Sequence, residues 1–183
     1  MATQATAADS RAATARLFLA LWPPPAVRAR MAAHAQAWAW PAGARRYAPA
    51  DWHLTLHFLG AVPRARIEAL RQALAVATPG FELDWGRPAL WPQGLAVLLP
   101  TEVPAGLRQL HAELALRLQA LGCRTESRPY TPHLTLARHA AAAQPPAAPP
   151  AWRWPVRSYA LAESTGDATG RYRLLQRYRL APP

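Results

Sequence analysis

The same four residues occur twice in the chain, as His53-Leu54-Thr55-Leu56 and as His133-Leu134-Thr135-Leu136, eighty positions apart. On a β-strand residues i and i+2 share a face, so each copy aims one imidazole and one hydroxyl the same way while its leucines anchor the other face. One such tetrapeptide says little, because a strand histidine is usually a packed or surface residue and threonine is common in strands for its β-propensity. Two copies, each near the middle of one half of the chain, point to an internal duplication that sets the copies face to face. His53, Thr55, His133 and Thr135 would then surround one hollow. Histidine titrates near pH 6.5, so around neutrality one ring can carry a proton while its twin does not. In-line cleavage of a phosphodiester needs that pair, one ring taking a proton from the attacking oxygen and the other giving one to the leaving oxygen. The threonine hydroxyls can donate to the non-bridging phosphate oxygens. Such chemistry demands no metal and no other cofactor.

The elements that must carry these residues are readable from the hydrophobic pattern. Residues 51–60 form an alternating strand with Leu54, Leu56 and Phe58 on one face and His53, Thr55 and His57 on the other, and 133–138 form its counterpart. His57 thereby shares the imidazole face and is a candidate contact for a nucleotide. Arg138 lies five positions after His133, so strict alternation points it away, and it reaches a phosphate only where the strand twists or ends. Tyr130 is a candidate for stacking on a base or for packing under the strand. Residues 16–22 are a compact apolar run stopped by Pro23-Pro24-Pro25, as in a buried strand. Helical spacing covers 26–40, 63–77 and, most clearly, 104–121, where Leu107, Leu110, Leu114, Leu118 and Leu121 recur at steps of three and four before Gly122. Residues 81–90 and 94–99 read as strands around a turn, and 152–163 and 172–180 as two closing strands. The order β-α-β-α-β-β-α-β-β-β describes a mixed α/β or α+β domain.

Length and composition bound the rest. At 183 residues one domain is expected, 16–183, preceded by a disordered Ala/Thr-rich tail at 1–15 and interrupted by a flexible Ala/Pro/Gln loop at 140–150. No stretch approaches the roughly 18–20 apolar residues of a membrane helix, so no membrane partner is expected. The single Cys123 cannot form an internal bridge, which fits a reducing, cytoplasmic setting. The 21 basic residues face 10 acidic ones, and all 21 are arginine. A planar guanidinium matches phosphate oxygens two at a time, which favours phosphate-bearing partners; a GC-rich coding sequence would produce the same bias.

At the residues that carry the chemistry the chain resembles the two-histidine phosphoesterase superfamily, and within it the bacterial and archaeal RNA 2′,3′-cyclic phosphodiesterases first named 2′-5′ RNA ligases. The segments 16–21, 52–60 (WHLTLHFLG), 130–138 (YTPHLTLAR), 161–164 and 172–175 carry the resemblance, which spans 16–180. It implies an α+β, bilobal, duplicated fold of two antiparallel sheets with outer helices around a central cleft. It also implies a monomer that hydrolyses RNA 2′,3′-cyclic phosphate ends to 2′-phosphates, with 2′-5′ ligation as a side activity. His53 would then protonate the departing O3′ and His133 would activate the water. Small cyclic nucleotides are an alternative substrate class. Outside the superfamily two rivals stand: a non-catalytic basic RNA-binding module, and a metal-dependent hydrolase, for which neither an HExxH motif nor acidic pairs beside the motifs supply ligands.

Overall fold

The computed structural model describes residues 13–167 and 170–182. Twelve strands and α-helices follow one another among the described residues, with three short 3-10 turns between them: β1 (Thr14–Leu21), α1 (Pro25–Gln36), β2 (Arg45–Arg46), β3 (Leu54–Pro63), α2 (Ile67–Ala73), β4 (Phe81–Trp91), β5 (Leu95–Pro100), α3 (Ala105–Ala120), β6 (Leu134–Arg138), β7 (Trp152–Val156), β8 (Ser158–Ser164) and β9 (Tyr172–Arg179). The strands hydrogen-bond in the order β7-β4-β5-β6-β3-β1-β8-β9, with β2 beside β6, and every named strand pair is antiparallel.

This ladder is two lobes of four strands meeting at its centre, where a single pair, Leu54 opposite Leu134, joins β3 to β6. Reading outward from that rung, β3, β1, β8 and β9 match β6, β5, β4 and β7. The helices obey the same duplication: α1 follows β1 and α3 follows β5, and their N-cap residues, Pro24 and Pro104, are again eighty positions apart. Proline suits a helix entry because its fixed φ is compatible with the first turn and its missing N–H has no partner there anyway.

Hydrophobic burial holds the lobes against their helices. Leu107, Leu110, Leu114 and Leu118 of α3 are fully buried, each contributing on the order of 1.5–3 kcal/mol by leaving water. Leu54, Leu56, Leu134 and Leu136 join the same core, so the leucines of both repeated tetrapeptides anchor the strands as their spacing implies. On β8 the buried Glu163 accepts hydrogen bonds from Arg64 and Arg173 at 2.6 Å each, tying that strand to the β3–α2 connection and to β9.

Four details depart from the sequence reading. The strand expected over 152–163 is two strands at opposite parts of the sheet, because the chain leaves β4's edge at Val156 and joins β1's edge from Ala160. The helix expected over 63–77 starts at Ile67, since β3 stays paired with β1 as far as Pro63. β1 already begins at Thr14, inside the segment read as tail; residues 1–12 of that tail lie outside the described residues. The 140–150 tract is irregular but docked: Ala140 and Ala143 are buried, and Ala39 and Gln144 exchange two backbone hydrogen bonds of 3.0 Å. Among the described residues no helix is long and apolar enough to cross a membrane.

Candidate functional site

The central rung decides where the motif side chains go. With the two leucines facing each other, the same register extended by one residue sets His53 beside Thr135 and Thr55 beside His133, all on the face opposite the leucine core. The four side chains line one cavity of about 150 Å³, together with Tyr47, Asp51, Arg138 and Tyr172. Both imidazoles are oriented in the same way. The Nδ1 of His53 lies 2.7 Å from the carbonyl of Asp51, and that of His133 lies 2.8 Å from the carbonyl of Thr131, each two residues upstream. A carbonyl can only accept, so Nδ1 carries the hydrogen, and Nε2 of the neutral ring is left as a lone-pair acceptor or, on protonation, a donor.

Matching β-bulges finish the two motifs. Against β1 the register of β3 passes from Thr55 to His57 and skips Leu56; against β5 the register of β6 passes from Thr135 to Ala137 and skips Leu136. An extra residue in one strand shifts the alternation by one step. Two successive core residues result in each repeat, Leu56 with His57 and Leu136 with Ala137, and the following residue returns to the cavity side. Arg138 is therefore brought to the side of His133 and Thr135 that unbroken alternation denied it, with its Nε donating to the Tyr47 hydroxyl at 2.8 Å.

The same shift corrects the reading of His57. It is only 4% exposed and sits in register with the core residue Leu19, and its Nε2 hydrogen-bonds the carbonyl of His111 on α3 at 2.8 Å. In its place Phe58, 51% exposed and opposite Phe18, takes the motif face. Tyr130 packs: its ring stacks on His111 at 3.9 Å and its hydroxyl donates to the Thr55 carbonyl at 3.1 Å. Tyr130, His57 and Phe58 border a larger hollow of about 550 Å³ that reaches Thr55 and His133.

The model of the 2'-5' RNA ligase superfamily matches residues 23–168. The chain belongs to that superfamily. It is similar to the RNA 2',3'-cyclic phosphodiesterase of Escherichia coli (strain K12), with 36% identity over 90% of this chain and 96% of that protein. It is also similar to the protein of the same name from Thermus thermophilus, with 32% identity over 90% of each. Among solved structures, E. coli LigT complexed with 3'-AMP aligns with a TM-score of 0.80 and 32% identity, over 91% of this chain and 98% of that one.

Within this superfamily member the two imidazoles have unequal surroundings. His53 is caged by Trp22, stacked at 5.1 Å, Phe18 at 5.0 Å and the edge of Tyr172 at 4.8 Å. Burial in that cage pushes its pKa down to about 4, against the Asp51 carbonyl, which favours the charged form, and with a further push from the like charge of His133. His133 has one aromatic neighbour among the described residues, Trp91 at 4.4 Å. Burial lowers its pKa as well, opposed by the Thr131 carbonyl. No three His, Cys, Asp or Glu side chains among the described residues converge to hold a metal ion. Sequence reasoning missed Tyr47, Phe18, Trp22, Tyr172 and Phe58. The apolar run of β1 has no alternation to show which of its residues face the site, and Tyr172 enters from a strand far along the chain.

Proposed function

We propose that the cavity hydrolyses RNA 2′,3′-cyclic phosphate ends to 2′-phosphates by paired imidazole catalysis, without a metal. His133 Nε2 takes a proton from water as its oxygen bonds to phosphorus; the P–O3′ bond breaks, and O3′ takes the proton from His53 Nε2. Exchange with solvent then resets both rings. Thr55, Thr135 and Arg138 hold the non-bridging oxygens, where charge builds in the transition state. The observation that supports this reading is the paired Nδ1 lock, which leaves Nε2 as the proton-exchanging nitrogen on both of two rings that line one small cavity with two hydroxyls and a guanidinium.

The test is incubation with an RNA ending in 2′,3′-cyclic phosphate, with and without EDTA, followed by analysis of the terminus. A 2′-phosphate formed at equal rates in both supports the proposal; a 3′-phosphate reverses which oxygen leaves. RNA bound but unchanged makes the protein a binding module, and loss of turnover in EDTA makes the reaction metal-dependent. Turnover of small cyclic nucleotides with RNA left intact moves the substrate class. Joining 5′-hydroxyl RNA to the same cyclic end reads the ligase side activity.

One observation favours exchanging the two roles: the aromatic cage disfavours a proton on His53 more strongly than the setting of His133 does. A substrate with sulfur in place of O3′ decides between them. Its thiolate leaves without an acid, so the variant lacking the acid regains rate on that substrate and the variant lacking the base does not.

A further inference from the structure

Behind the aromatic wall of His53 lies a hollow of about 720 Å³ that adjoins the small cavity through Asp51 and Tyr172, which line both. Its charge is one-sided: four arginines, Arg28, Arg157, Arg171 and Arg177, face a single carboxylate, Asp51. Only Arg171 is paired with it, at 3.6 Å. Arg177 donates to the Ser158 hydroxyl at 3.1 Å, and among the described residues neither it nor Arg28 nor Arg157 has a carboxylate partner. Cations gathered from three separate elements, α1, the β7–β8 junction and β9, have no mutual stabilisation to explain their convergence. They make a fixed positive field beside the site.

We infer that this hollow seats the phosphates of single-stranded RNA upstream of the reacting end, making an oligonucleotide rather than a mononucleotide the preferred substrate. The inference rests on the reading proposed above. If His53 protonates O3′, in-line geometry puts the ribose on the His53 side of the phosphorus, and the chain that continues from that ribose leaves over the arginines. Trp22, which lines the hollow and stacks on His53, adds an aromatic surface of the kind on which unpaired bases stack.

The test compares a cyclic-phosphate-ended decamer with 2′,3′-cyclic AMP in the wild type, in the triple variant Arg28→Gln/Arg157→Gln/Arg177→Gln and in a charge-matched control, Arg87→Gln/Arg108→Gln/Arg117→Gln. In the first variant kcat/KM for the decamer falls at least tenfold. Its log–log salt slope shrinks by about 2, from roughly 0.7 for each single-strand phosphate contact, while cyclic AMP hydrolysis moves less than twofold. The control variant leaves the decamer's preference in place. Equal loss on both substrates, or equal loss in the control, overturns the inference. Binding of the same decamer with a 3′-hydroxyl end, followed by fluorescence anisotropy, reads the hollow without chemistry. Weakening confined to the first variant supports the hollow as a seat for single-stranded RNA even where no cyclic end is hydrolysed, in which case the substrate preference falls with the proposed function; unchanged binding rejects the seat even where hydrolysis is confirmed.

Discussion

The two halves of the molecule repeat each other down to the N-cap prolines and the skipped leucine of each motif strand, yet their histidines sit in different media. His53 is enclosed by Phe18, Trp22 and Tyr172; His133 meets Trp91 and a wider hollow. Duplication thus supplies two equally oriented imidazoles, and the surroundings alone make them unequal in proton affinity. A symmetric scaffold acquires an asymmetric pair of rings through residues outside the repeated motif.

The largest break in that comparison is removal of either ring. His53→Ala and His133→Ala each lower kcat on a cyclic-phosphate RNA by about 10²–10⁴, the range for losing a positioned acid or base; a folded variant that keeps its rate ends the case for that ring. Structural equivalence is tested at the rung. Leu54→Ala and Leu134→Ala, both in fully buried positions, each destabilise by about 2–5 kcal/mol in denaturant titrations, and a large inequality between them would show that the lobes do not carry the joint equally.

The positions after the two bulges separate the halves further. Arg138→Gln removes a charge-assisted contact worth about 1.5–3 kcal/mol, seen as a roughly 10- to 100-fold loss in kcat/KM. Phe58→Leu, at the matching place in the other half, costs several-fold less on a cyclic phosphate substrate.

The smallest effect is the most direct on the media. Burial lowers both histidine pKa values, His53 to about 4. Both limbs of the bell in kcat/KM therefore lie on the acid side of the unperturbed value near 6.5: activity falls at low pH, where both rings are protonated and no base is left, and falls again, below pH 6.5, where both become neutral and no acid is left. Trp22→Leu readmits water to His53 and raises its pKa, moving one limb toward neutrality, whereas Trp91→Leu moves the other. A limb that stays in place in both variants would mean that these aromatic neighbours do not set the titration.

The motif was legible because four identical residues recur, and strand periodicity gave their faces as far as Thr55 and Thr135. Beyond them alternation misled, since a period of two carries no notice of an inserted residue: His57 went to the core and Arg138 to the cavity through Leu56 and Leu136. Residues 152–163 read as one strand because Arg157 lies between two alternating segments that pair with different neighbours. The cage around His53 was hidden for another reason. Phe18 and Trp22 lie in an apolar run stopped by prolines, and Tyr172 is more than a hundred positions from the ring it touches, so only the folded sheet brings them together.

The rung between Leu54 and Leu134 gives the molecule an unforgiving gauge. Side chains alternate with a step of one residue, so a slip of either strand by that step would turn its own imidazole toward the oily interior and its own leucines outward, parting it from its twin. Spacing between the two rings is thus quantised, with no half-misaligned intermediate to inherit. Graded changes in preference are then open to evolution at the rim, while the centre admits only the intact arrangement or none.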